Sequence, residues 1–364
     1  MISSRQLAIM IALSRISVIT IFLPVVTAAD ARQDAWIAAM FATAGGLVVS
    51  LLPVMLADRF PGKSYGEYVK IVLGRGLGGV ASLLLAAFYI ALVVLRSRQL
   101  AFLLIASQLE EEPGWIFAAT TVLVGSYGAY LGADGLGRAA EVFLTVVAFS
   151  IVVGLLLVFI SVPIDLGLLQ PVLYRGWEPV LEASINPIFW FATSGAVVLV
   201  LSKYCVDHRG IVKAVLAGTA ISGVTLTVMA LTATVTLGPM EARAQLSPVL
   251  SLSRTVFIEG VIERLDELLM SVWIAGVAFD VAVFMLVASM LISDAHKVTA
   301  RKVVLLAGSL AIFLASLRVT DVFIIRRILQ PIWTGYAMVA VHGCLIGGVL
   351  LVAALRGQRG GDER

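Results

Sequence analysis

Charge is what this chain has least of. Asp, Glu, Lys and Arg make up 13% of its 364 residues, whereas apolar residues make up 60%. Soluble domains run nearer 25% charged and 45–50% apolar, so a soluble fold with this balance exposes large apolar patches and aggregates. A bilayer removes that conflict, because the outer surface then faces lipid. Cysteine is also scarce. Cys205 and Cys344 stand far apart in apolar contexts, which excludes a disulfide framework. The three histidines, His208, His296 and His342, show no ligand spacing, so no metal site is expected. The net charge of +3 comes from scattered basic residues, with no Lys/Arg block and no RNA-binding aromatic motif. Nucleic acid is therefore excluded as a partner. No catalytic triad or buried acid/base cluster can be assembled, so neither an enzymatic activity nor a cofactor is expected. The glycine-rich Gly74-Arg75-Gly76-Leu77-Gly78-Gly79 follows no soluble strand and is not a nucleotide loop.

What is there is a series of long apolar runs. A spanning helix needs about 20 mostly apolar residues, and about ten segments meet or approach that length. They are 7–28, 35–57, 79–107, 115–132, 139–162, 183–203, 211–237, 268–292, 302–319 and 331–354. The chain reads as one polytopic transmembrane domain, 1–364, all-α. The first run is followed by many others and is retained as helix 1 rather than as a cleaved signal. An even number of spans puts both termini on one side of the bilayer. Lys and Arg in short loops favour the cytoplasmic side, about fifteen inside against about eight outside with the N-terminus inside. The acidic run Glu110-Glu111-Glu112 then falls outside.

Three loops are more than connectors. Residues 58–78 hold a Pro61-Gly62 turn and a short helix from Tyr65 to Leu73. Residues 163–182 hold Pro163, Pro171 and Pro179 around Gly176-Trp177. Residues 238–267 include a surface helix from Ser251 to Asp266.

Ten spans allow an inverted pair of five-helix halves, about 7–162 and 183–354. Such folds bind their ligands where the first helix of each half is interrupted. Helix 1 carries Ser14-Arg15-Ile16-Ser17 in mid-span. Helix 6 carries Pro187, whose ring removes a backbone donor, and then Thr193-Ser194-Gly195. A break between Pro187 and Gly195 would expose the amides of 193–196 as a half-helix N-terminus able to hold a carboxylate. Ser14 and Ser17 would add hydroxyls, and Phe189, Trp190 and Phe191 an apolar wall. Ionisable groups within a span are costly and mark sites. Here they are Arg15, Arg96, Arg98 and Asp280. Arg96 and Arg98 lie roughly 200° apart on a helix and cannot share a cavity.

The motifs themselves resemble a known family. Ile2-Ser3-Ser4-Arg5-Gln6-Leu7, with Phe22-Leu23-Pro24 and then Gln33-Asp34-Ala35-Trp36, is similar to the permease-like B subunit of spore germinant receptors. So is Arg59-Phe60-Pro61-Gly62-Lys63-Ser64, followed by Glu67-Tyr68 and Leu73-Gly74. Further matches are Gly137-Arg138-Ala139-Ala140-Glu141, Leu169-Gln170-Pro171-Val172-Leu173 with Gly176, and Glu263-Arg264-Leu265-Asp266 leading to Trp273.

The resemblance implies a LeuT-like 5+5 inverted repeat of the amino acid/polyamine/organocation transporter type, with helices 1 and 6 interrupted. It implies a receptor in the spore inner membrane that binds a small germinant, commonly an amino acid, beside an A subunit and a lipoprotein C subunit. It places an arginine facing the ligand at Arg96, which joins Ser14, Ser17, Phe191, Thr193, Ser194 and Gly195 in the expected ligand set. Helices 1 and 8 are adjacent in that fold, so an ion pair between Arg15 and Asp280 is expected there in place of a bound cation. The competing expectation is that Arg15 snorkels to the headgroups.

The chain also departs from the family pattern. Phe191-Ala192-Thr193-Ser194-Gly195-Ala196 lacks the acid of the family's helix-6 turn, Asp280 stands where a Lys is common, and Arg15 where a glycine is common. Two alternatives stay open: an amino acid or cation permease, and a structural receptor subunit with a degenerate pocket.

Overall fold

The computed structural model describes residues 1–107, 113–245, 247–256, 265–293, 298–319 and 337–359. The acidic run at 110–112, the Glu263-Arg264 pair and the start of the last expected span lie outside the described residues. So does the side chain of Ser17.

The described chain is helical apart from turns and one isolated bridge. The helices are α1 (Ser4–Ala31), α2 (Ala35–Val49), α3 (Leu51–Arg59), α4 (Tyr65–Leu73), α5 (Arg75–Ser107), α6 (Gly114–Ser161), α7 (Glu178–Gly195), α8 (Val198–Leu201), α9 (Ile211–Leu237), α10 (Pro239–Ala244), α11 (Pro248–Thr255), α12 (Leu265–Ile292), α13 (Val298–Arg318) and α14 (Ala337–Leu355). Seven stretches among the described residues are long and apolar enough to cross a bilayer. The difference from the expected number has identifiable causes. Both spans expected at 115–132 and 139–162 lie within the 48-residue α6, which turns at Gly132 (φ 77°, ψ −176°), a conformation open essentially to glycine. Pro24–Arg59, from the end of α1 through α2 and α3, counts as one stretch, and α13 is not among the seven.

The outer surface is apolar, with Leu84, Leu123, Phe149, Ile160, Leu306 and Leu351 exposed. Water would penalise that face, and lipid does not. At the centre, α1 packs against α6, α7, α9 and α12, and α12 packs against α5 and α6. From Val277 to Leu291 every residue of α12 is buried, as expected of a helix apolar almost all round.

The two described termini sit at the same end of the bundle. Ile2 bridges to the segment after α8: its N–H donates to Tyr204 O (2.9 Å) and its carbonyl accepts from Val206 N (3.0 Å). At the other terminus Arg356 Nη1 donates to Val72 O of α4 (2.7 Å). The short helix expected from Tyr65 to Leu73 is α4, begun by a capping box between Ser64 and Glu67. The second oxygen of Glu67 accepts from Lys203 Nζ at 2.7 Å, which ties α4 to the end of α8. Partial burial raises the Glu67 carboxyl, but hydrogen bonds from Lys203 and Ser64 outweigh it and hold the group below its ordinary value.

At the far end, the loop of 163–177 folds over the turn between α1 and α2. Leu173 N donates to Asp34 Oδ1 (3.0 Å), Gln33 Nε2 to Pro171 O (3.0 Å) and Arg175 Nη1 to Asp30 O (2.9 Å). The Gln33-Asp34 and Gln170-Pro171 motifs, remote in sequence, are therefore partners in space. Of the surface helix expected from Ser251 to Asp266, 257–264 lie outside the described residues, and α11 ends at Thr255 with Val256 extended. Ser247 caps the short α11, and Asp266 opens α12, where a carboxylate suits the helix N-terminus.

Candidate functional site

The site lies where α1, α5, α7 and α12 meet. Asp280 on α12 is fully buried. Arg96 on α5 reaches it with Nε–Oδ2 at 3.3 Å, donates from Nη1 to Gln99 Oε1 (2.7 Å) and lies 5.5 Å from the ring centre of Trp190 on α7. The guanidinium is thus held by a carboxylate, an amide and an aromatic face together. Tyr89, two turns earlier on α5, donates to Thr193 O (3.4 Å) and packs on Phe284 of α12 (5.2 Å between ring centres). Arg15 on α1 completes the cluster. It is fully buried, so it does not snorkel, and its charge is attracted by Asp280 and repelled by Arg96. Its Nε and Nη2 have no hydrogen-bond partner among the described residues. The expected Arg15–Asp280 ion pair is therefore corrected: α5 supplies the contacting arginine, and Arg15 stands nearby as a second cation. Arg96 faces inward and Arg98 is only half-buried, as their angular separation requires.

Of the expected helix breaks, helix 6 is interrupted at Gly195, whereas neither Pro187 nor helix 1 carries one. α1 runs unbroken from Ser4 to Ala31, with Pro24 inside it. Residues 12–17 contain neither glycine nor proline, and alanine, leucine and arginine there favour helix. α7 passes straight through Pro187 and ends at Gly195, followed by a two-residue turn and the single-turn α8. The amides of 193–195 lie within α7, Ala196 N donates to Ala192 O (2.9 Å) and Val197 N to Ser194 O (3.3 Å). The residues expected to present a half-helix N-terminus form a C-terminal end instead, and their amides are already used.

The expected ligand set divides between two faces. Arg96 and the Thr193 carbonyl face the charged cluster, and Ser14 lies beside Asp280. The Thr193 hydroxyl bonds back to Phe189 O (2.8 Å). Phe191 and Gly195 face α2. A Cβ on Gly46 would lie 2.6 Å from that of Phe191, and a Cβ on Gly195 would lie 3.0 Å from that of Ser50. Those two positions let α2 and α7 approach closely, as small residues do between membrane helices. The Ser194 hydroxyl is buried without a partner among the described residues.

Sequence reasoning missed Tyr89 and Phe284. The signals were present: Tyr89 and Arg96 are spaced i, i+7 on α5, and Asp280 and Phe284 are spaced i, i+4 on α12, so each pair shares a helix face. A cavity of about 90 Å³ opens between α1, α6, α9, α11 and α12, lined by Ile16, Gly154, Met229, Leu250, Met270 and Trp273 among others. Ile16 is the residue next to Arg15. Trp273 is seven residues, roughly 10 Å, along α12 from Asp280. Among the described residues, no three His, Cys, Asp or Glu side chains converge as metal ligands would.

The comparisons with known proteins match this architecture. A family model described as "Spore germination protein" matches residues 1–323. Spore germination protein KB of Bacillus subtilis (strain 168) is 28% identical over 289 residues, covering 78% of this chain and 76% of that protein. Spore germination protein YndE of the same organism is 24% identical over 277 residues, covering 75% and 74%. Among solved structures, MhsT in complex with L-phenylalanine superposes with a TM-score of 0.62 at 13% identity, covering 97% of this chain and 95% of that one. Mhp1, a nucleobase-cation-symport-1 family transporter, superposes with a TM-score of 0.70 at 14% identity, covering 98% and 80%. The fold is the LeuT-like transporter fold.

Proposed function

Since the chain belongs to the spore germination protein family, we propose that it is the membrane-embedded B-type subunit of a germinant receptor, binding a small germinant at the junction of α1, α5, α7 and α12. The protein is a multi-pass membrane protein with a transporter-type fold. The observation that carries the reading is the cluster of Arg15, Arg96, Asp280 and Trp190. Buried charge at the centre of a membrane bundle is costly, and chains that keep it use it.

In this reading the germinant shifts the bundle between two arrangements, and adjacent A and lipoprotein C subunits sense the shift. Both termini face the cytoplasm. The latch of Ile2 with 204–206 and of Glu67 with Lys203 closes the inner end. The domain is built of half-repeats of about 7–162 and 183–354. The test is deletion of the gene in its spore-forming host. Loss of the response to one germinant class, restored by the wild-type chain, is expected. An unchanged response to every germinant contradicts it. Purified chain in liposomes separates the permease alternative: accumulation of substrate against its gradient identifies a transporter.

A further inference from the structure

We propose that Arg15 is the anion-recognition group of this pocket, and that its ligand is a small carboxylate of net negative charge. The inference rests on the receptor reading above, in which a small molecule enters the junction of α1, α5, α7 and α12.

Three ionisable side chains meet there with almost no exposure: Arg15 at 1%, Arg96 at 5% and Asp280 at 0%. Two are cationic and one is anionic, so the cluster carries one positive charge in excess. Asp280 is in contact with Arg96, which also holds Gln99 and stacks on Trp190. Arg96 Nε and both Asp280 oxygens meet as an ion pair and make no hydrogen bond, and Arg15 has neither an ion-pair contact nor, at Nε and Nη2, a hydrogen-bond partner among the described residues. An uncompensated guanidinium in a low-dielectric interior is strongly unfavourable. The same two nitrogens form part of the planar fork that binds a carboxylate through two parallel hydrogen bonds.

The competing anion holder, a half-helix N-terminus at 193–196, is ruled out by the hydrogen bonds of those amides within and just after α7. The charge balance then selects the ligand. A zwitterion adds no net charge and leaves the surplus in place. A monoanion cancels it. Among the described residues the groups in the field of Arg15 are Asp280, Arg96, Tyr89 and His342, and Asp280, already in contact with Arg96, is the one carboxylate of that set. The cavity between α1, α6, α9, α11 and α12 is lined by Ile16, the residue next to Arg15.

The test is the melting temperature of the purified chain in detergent with charge-matched probes on one skeleton. L-Alanine, L-lactate and L-alaninol carry net charges of zero, minus one and plus one at neutral pH. The corresponding trio built on leucine repeats the test at a larger size. Wild type is compared with Arg15→Met and Arg15→Lys. The hydroxy acid is expected to raise the wild-type melting temperature most and the amino alcohol least. Arg15→Met is expected to erase that shift and to raise the unliganded melting temperature, because it removes the surplus charge. Arg15→Lys is expected to keep part of the shift.

A shift given by the amino acid and surviving in Arg15→Met overturns the inference and leaves the receptor reading intact. A fall in the unliganded melting temperature of Arg15→Met makes Arg15 a structural residue and also overturns the inference. No shift with any probe in folded wild type removes the pocket reading, and the inference with it.

Discussion

Asp280 has two arginines in its field and one in contact. That arrangement makes the single and double replacements behave differently. Asp280→Asn leaves two buried cations facing each other and is expected to destabilise the protein by about 3–5 kcal/mol. Replacing the contacting pair together, Arg96→Met with Asp280→Leu, is expected to recover part of that loss, because a buried ion pair exchanged for apolar side chains is often near neutral while Arg15 loses the carboxylate that attracts it. A denaturation series over wild type, Arg96→Met, Asp280→Leu and their double replacement measures the coupling. Strict additivity would show that Arg96 and Asp280 do not support one another. Each of these charges was legible as a site residue in the sequence, because an ionisable group in an apolar run stands out. Which arginine meets Asp280 was not legible, because it depends on how α1 and α5 are rotated about α12. No spacing within one helix encodes that rotation.

Helix ends and glycines decide the behaviour of the elements. Pro187 and the Thr-Ser-Gly run were read as a break; α7 continues through the proline and is interrupted at Gly195, the end of that run. Neighbouring helices and local adjustment commonly absorb a proline in a membrane helix, and α2, α1 and α9 all pack against α7. Conversely, the Gly45-Gly46 pair gave no sequence signal of its own, although α2 uses it to seat Ile188 and Phe191. Gly46→Ala is expected to cost about 1–3 kcal/mol by overpacking Phe191, read as a fall in thermal stability. Gly132→Ala forces an alanine to a φ of 77° at the turn of α6 and is expected to cost about 1–3 kcal/mol.

The inner latch adds a pH dependence. The Glu67 carboxyl is held below its ordinary 4.5, so the folded state favours its ionised form. Its contribution is present above about 4.5 and is lost as pH falls through the lower folded value. Hydrogen exchange of the α4 amides is expected to accelerate below that point, and Glu67→Gln is expected to remove the dependence.

For the whole molecule, the sequence carried the fold further than the site. Composition required a bilayer, the apolar runs placed most helices, and the family motifs fell on contacts that close the two ends of the bundle. Gln33-Asp34 binds the 170–173 loop, and Ser64-Glu67 caps α4 and holds Lys203. Such motifs mark architecture, which is why they indicated the family without indicating the ligand. The pocket is a property of four helices packed together, and only its charges were visible one helix at a time.

The most direct test of the account is the germination of spores in which the Arg96→Met, Asp280→Leu double replacement substitutes for the wild-type chain. The response to the cognate germinant is expected to vanish while the amount of protein in the spore membrane is unchanged. A full response from that double variant would contradict the assignment of the junction of α1, α5, α7 and α12 as the germinant site.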